Sequence, residues 1–156
     1  WDRDGLPDLV MLNHQGYLCL FRRARRGGKL VLLPPERIFV TPAGRFLNLS
    51  AGRAGASGRR KVEIADMDGD GDLDLIVDAD GGPAWYENIG TEAKPVMELR
   101  GALVKANIAG HSPAPNVVDW NGDGKLDLIV GAEDGFFYYF DGRYIESLRK
   151  TPSKPL

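Results

Sequence analysis

The chain has 156 residues, 43% hydrophobic and 27% charged, with a formal net charge of −2, which predicts one globular segment over 1–156 with a buried core and excludes disordered and fibrous chains. No run approaches the ~18 consecutive apolar residues of a membrane-spanning helix, so membrane insertion is not expected, and the lone Cys19 excludes a disulfide within the chain. Charge is divided: residues 1–61 hold 12 of the 20 Lys and Arg with four acids, while 62–156 hold 18 of the 22 acids.

The chain opens on W-D-R-D-G-L-P-D, from Trp1 to Asp8, followed by the apolar Leu9, Val10 and Met11, a glycine at Gly16 and an aromatic-rich segment from Tyr17 to Phe21. A long basic connection with Arg22, Arg23, Arg25, Arg26 and Lys29 comes next. An apolar lead-in from Val62 to Ala65 then meets D-M-D-G-D-G-D-L-D, from Asp66 to Asp74, and the order repeats: Leu75 to Val77, Gly82, then Ala84 to Tyr86. After Val117 and Val118 stands D-W-N-G-D-G-K-L-D, from Asp119 to Asp127, with Leu128 to Val130, Gly135 and the run Phe136 to Phe140 behind it. Three units are therefore expected, over about 1–61, 62–114 and 115–156. The first acidic string matches the others if its leading position lies one residue before Trp1, so the chain is expected to begin inside a motif.

Each unit reads as strand, acidic loop, strand, glycine turn, strand. The runs Leu73 to Val77 and Leu126 to Val130 are too short for helices and apolar on both alternating faces, as an inner strand covered on both sides requires. The predicted class is all-β, with antiparallel blades of the β-propeller kind, because the repeats recur after 66 and 53 residues with several strands in each. Only Ile145 to Lys150 carries a helical hint.

Closely spaced oxygen donors in a glycine-bearing loop suit a hard cation, and the loose geometry favours calcium, which takes about six to eight oxygens. Alternate positions converge when such a loop curls: Asp66, Asp68, Asp70 and Asp74 by side chain with the carbonyl of Asp72, and Asp119, Asn121, Asp123 and Asp127 with the carbonyl of Lys125. The first loop offers Asp2, Asp4 and Asp8 with the carbonyl of Leu6. An EF-hand is excluded because its twelfth position is a bidentate Glu, whereas Val77 and Val130 stand there. Charge ranks the sites second, third, first, since Asn121 and Lys125 replace two acids of the second loop.

These D-x-D-x-D-G-x-x-D loops resemble the FG-GAP or VCBS-type repeats of β-propeller blades, as in integrin α-chain heads and many secreted bacterial proteins. The resemblance implies a calcium-stabilised propeller segment, extracellular or periplasmic, that serves adhesion, glycan or protein binding, or as a scaffold. It also implies further blades, from a longer chain or from copies, because three units cannot close a ring that needs about four to eight. The Phe-Gly and Gly-Ala-Pro signature is not present.

Arg22, Arg23, Arg25 and Arg26 are the candidate ligand-binding residues, with an acidic polysaccharide the better guess; nucleic acid is not expected, since no aromatics interleave with them. His111 and Ser112 read as turn residues rather than catalytic groups, Cys19 as a small buried hydrophobe, and the run Phe136 to Phe140 as a strand burying at least half its rings. No catalytic residue is assigned. The alternative is part of a polysaccharide lyase-like enzyme acting on acidic glycans, since some such lyases also use calcium-bearing propeller blades.

Overall fold

The short apolar runs between glycine turns become antiparallel strands in the computed structural model, which describes residues 1–50, 60–79, 82–106, 108 and 113–149. His111 and Ser112 lie outside the described residues. In the first unit β1 (Leu9–Leu12) pairs with β2 (Leu18–Phe21), and β2 is flanked on its other edge by single bridges from Leu20 to Glu36 and Tyr17 to Asn48. The basic connection is itself a hairpin, β3 (Arg23–Arg26) against β4 (Lys29–Leu32). Gly27 and Gly28 make its turn with φ of 56° and 77°, the double positive φ of the two-residue turns that match strand twist.

The second unit is a four-stranded sheet in sequence order, β5 (Val62–Ala65), β6 (Asp74–Val77), β7 (Ala84–Asn88) and β8 (Met97–Ala102). The third has β9 (Ala114–Val118), β10 (Asp127–Gly131) and β11 (Phe137–Phe140), with β10 in the middle. Where the second unit adds a fourth strand, the third adds the helix α1 (Gly142–Arg149). That helix begins three residues earlier than the sequence hint, because the Asp141 carboxylate caps it: Oδ1 accepts from the Arg143 N–H at 2.8 Å.

The glycines align without gaps, yet the hairpins do not share one register. Val10 pairs with Leu20 and Ile129 with Tyr139, whereas Ile76 pairs with Trp85, so the second unit closes one residue tighter.

Alternation then decides which side chains meet. Leu75 and Val77 turn toward the first unit, in a core with Leu12, Leu18, Leu20, Phe39 and Met97. Ile76, between them, turns the other way, into a core with Trp85, Leu128, Val130 and Ile145 of the third unit's side. The middle strand is thus buried on both faces, as its unbroken apolar run requires. The units stack in chain order, and the two end faces stay bare: Leu9 and Met11 at one end, Val118, Phe137 and Tyr139 at the other. Of the run Phe136 to Phe140, only Tyr138 and Phe140 pack on the core, and Cys19 is buried. At the expected strand positions Leu75, Val77, Leu128 and Val130 are all buried.

Candidate metal centre

The three acidic loops are built by one device, in which side-chain oxygens accept from backbone N–H groups two to five residues ahead. In the second loop Asp66 Oδ1 and Oδ2 take the N–H groups of Gly69 (2.7 Å) and Gly71 (3.0 Å), Asp68 takes that of Asp70 (3.1 Å), and Asp70 that of Asp72 (2.8 Å). The third loop repeats the pattern: Asp119 takes Gly122, Asp123 and Gly124, Asn121 takes Asp123, and Asp123 takes Lys125. Asp2 and Asp4 do the same in the first, with Asp4 and Leu6.

Such a curl requires a left-handed residue at the fourth position. Gly69 and Gly122 supply it with φ of 79° and 74°. The first loop places Arg3 there, at φ 57°, the one positive-φ residue other than glycine among the described residues. Its guanidinium meets Glu92 at 2.6 Å and donates to the Gly71 carbonyl, so the first loop is fastened to the second.

The ninth position has its own task. Asp74 is buried, and its two oxygens accept from the N–H of Met67 (3.1 Å), the N–H of Asn88 (2.8 Å) and the indole of Trp85 (3.0 Å). Asp127 accepts from Trp120, Asn121 and, at 2.7 Å, Gly142. Asp8 accepts from the Arg23 N–H at 2.7 Å, and the Trp1 nitrogen lies 3.1 Å from its other oxygen. In all three units this carboxylate therefore pins the start of its loop to the residue leaving the third strand. Burial raises the Asp74 carboxyl above its ordinary value, in spite of the three N–H bonds. The same burial is outweighed at Asp127 by bonds from Gly142, Trp120 and Asn121, which hold it below.

What remains to face a cation differs between loops. In the second, carboxylate oxygens of Asp66, Asp68 and Asp70 lie within 4.8 Å of one another, and none of the three makes an ion pair among the described residues. Burial, and then the negative charges of Asp70 and Glu87, lift the Asp68 carboxyl above its usual range. Three converging hard-oxygen donors with unbalanced charge are a fit for a divalent ion, with the Asp72 carbonyl at the position between them and the pin. In the third loop the Arg143 guanidinium stands 2.9 Å from Asp123 Oδ2, and the Lys125 ammonium contacts Glu146. In the first, Arg22 Nε stands 3.3 Å from Asp2.

Helix α1 closes over the second and third loops, leaving a cleft of about 180 Å3 that Asp66, Asp68, Lys125, Glu146 and Arg149 help to line. Its start fits because Gly142 has no side chain: a Cβ there would come within 2.8 Å of the Leu126 carbonyl oxygen. At its far end Arg149 donates to the Met67 carbonyl and stacks 4.3 Å from the Trp85 ring centre. The residues missed in the sequence are these arginines, Trp85 and Glu92; the one legible signal was D-G at Asp141 and Gly142, a capping acid before a close-approach glycine.

The candidate ligand-binding arginines do not form one set. Arg22 is spent on Asp2 and, at 2.6 Å, Glu36, and the Arg23 backbone serves Asp8. Arg25 and Arg26 are exposed near the hairpin turn and make no ion pair among the described residues.

Stacked antiparallel blades with an acidic, glycine-bearing loop before each inner strand define an all-β, propeller-like repeat module. The family model described as FG-GAP-like repeat matches residues 1–77 and 66–130, each match running from one acidic loop through the strand after the next. The chain belongs to the FG-GAP-like repeat family. No curated protein and no solved structure matches it.

Proposed function

We propose that this chain is a calcium-stabilised β-propeller segment of a secreted protein, extracellular or periplasmic, that serves as a binding or scaffold module. The observation that carries the reading is the convergence of Asp66, Asp68 and Asp70 within 4.8 Å in a loop of the family's type. Calcium would be held by these three side chains and the Asp72 carbonyl, with Asp74 holding the loop in shape. The ion would supply charge neutralisation; the chain's own residues orient the donors, through the glycine turns and the N–H bonds.

The two bare end faces support further blades on either side, from a longer chain or from copies. As ligand, an acidic polysaccharide suits the exposed Arg25 and Arg26 of the β3–β4 hairpin. Calcium titration followed by melting temperature tests the metal. Incubation with uronic-acid polymers tests the partner: binding without turnover supports the module, and ultraviolet-absorbing unsaturated products support the lyase alternative.

A further inference from the structure

The three loops share one template but not one counter-ion. Asp123 stands in the third loop where Asp70 stands in the second, and it is already in contact with the Arg143 guanidinium at 2.9 Å. Its Oδ1 is used by the Lys125 N–H. Asn121, at the position of Asp68, is neutral; its oxygen is used by the Asp123 N–H, and its amide donates to the Tyr139 hydroxyl at 3.2 Å and to Asp141 at 3.4 Å. Of three anionic donors that converge in the second loop, the third keeps Asp119 alone without a cation on it.

Arg143 is held where it is by the rest of the helix. Asp141 caps α1, the Gly142 N–H is bound by Asp127, Ile145 is in the core, Glu146 contacts Lys125 and Arg149 clamps the second unit. The stretch that delivers this arginine in the third unit, just past the third strand, delivers Arg22 onto Asp2 in the first. In the second unit that stretch is Asn88, Ile89 and Gly90, which carry no charge.

We propose that Arg143 is the resident cation of the third loop and keeps that loop from taking up calcium while α1 is docked. The chain then holds calcium at one loop, the second. This rests on reading the acidic loops as calcium sites, and the test separates the two. Arg143 is suited to mutation because its side chain is largely exposed, so its removal leaves the fold standing.

Calorimetric titration of the full chain with calcium chloride reads both stoichiometry and affinity. The parent is expected to bind one ion, and Arg143→Gln to gain a second, with affinity at the third loop raised about tenfold or more by loss of the competing charge. Arg143→Lys keeps the charge and is expected to keep the block. In an Asp70→Asn background, where the second loop is disabled, Arg143→Gln is expected to restore one ion. Two ions of similar affinity in the parent, or an unchanged third loop in Asp70→Asn/Arg143→Gln, overturns the proposal. A parent chain that binds no calcium overturns the second-loop reading instead, and uptake by Arg143→Gln in that case still supports the arginine's role.

Discussion

The second and third acidic loops differ at three of their nine template positions, two of which change charge, yet they end in different electrostatic states. In the second, Asp66, Asp68 and Asp70 crowd together without an ion pair among the described residues, Arg149 acting on Asp68 only from beyond contact. In the third, Arg143 and Lys125 arrive within contact of Asp123 and Glu146, and Asn121 removes one charge outright. The lesson is that an acidic string sets the backbone of its loop, whereas the residues that follow it, here the turn into α1, set how much negative charge is left unbalanced there. The pins show the converse: Asp74 and Asp127 serve the same purpose in both loops because the partners they share are backbone groups, which a change of side chain does not remove.

The largest effect expected is therefore one that fails to distinguish the loops. Asp74→Ala and Asp127→Ala each leave buried N–H groups without an acceptor and should each cost about 3 kcal/mol or more in urea unfolding. If one of them is cheap, the shared pin is not the common frame of the two units. The next comparison concerns the second template position, which faces the next blade. Met67 is 7% exposed and packs on the third unit, while Trp120 is 70% exposed at the bare end. Met67→Ala should cost about 2 to 3 kcal/mol and Trp120→Ala no more than about 0.5 kcal/mol; a costly Trp120→Ala in this span would mean that the end face is already covered.

A smaller effect than that of Met67→Ala belongs to the fourth strand, which the second unit has and the third replaces by α1. Arg100 on β8 makes a two-pronged bond to Glu87 on β7, at 2.8 and 3.0 Å, and so holds the Glu87 carboxyl below its ordinary value of 4.5. A depressed acid contributes stability that is present above pH 4.5 and lost as the pH falls through its folded value. Arg100→Ala should cost about 0.5 to 1 kcal/mol at neutral pH, and the gap from the parent should shrink on acidification below 4.5. A gap that grows there would contradict the assignment.

Much of this was legible in the sequence for local reasons. The acidic strings, their glycines and the apolar runs behind them act within ten residues, so the loops and inner strands β1, β6 and β10 could be placed by spacing alone. Two-sided burial of Leu75, Ile76 and Val77 followed from the absence of polar alternation. The rest depends on long-range pairing. Strand β8 and the tighter register of β6 on β7 have no local marker. The basic stretch read as a connection because its arginines masked a Gly-Gly hairpin turn. Arg143, 20 residues beyond Asp123, meets it only because α1 folds back over the loop.

The central claim, that calcium at the second loop stabilises the chain, is tested most directly by melting temperature against calcium concentration in Asp70→Ala and Asp123→Ala. Binding to the folded state alone stabilises by about 2.7 kcal/mol at a hundredfold excess over the dissociation constant, a rise of several degrees for a chain of this size. The parent and Asp123→Ala should both show that rise, and Asp70→Ala should lose most of it. A parent chain whose melting temperature ignores calcium, or a larger loss in Asp123→Ala than in Asp70→Ala, would contradict the account.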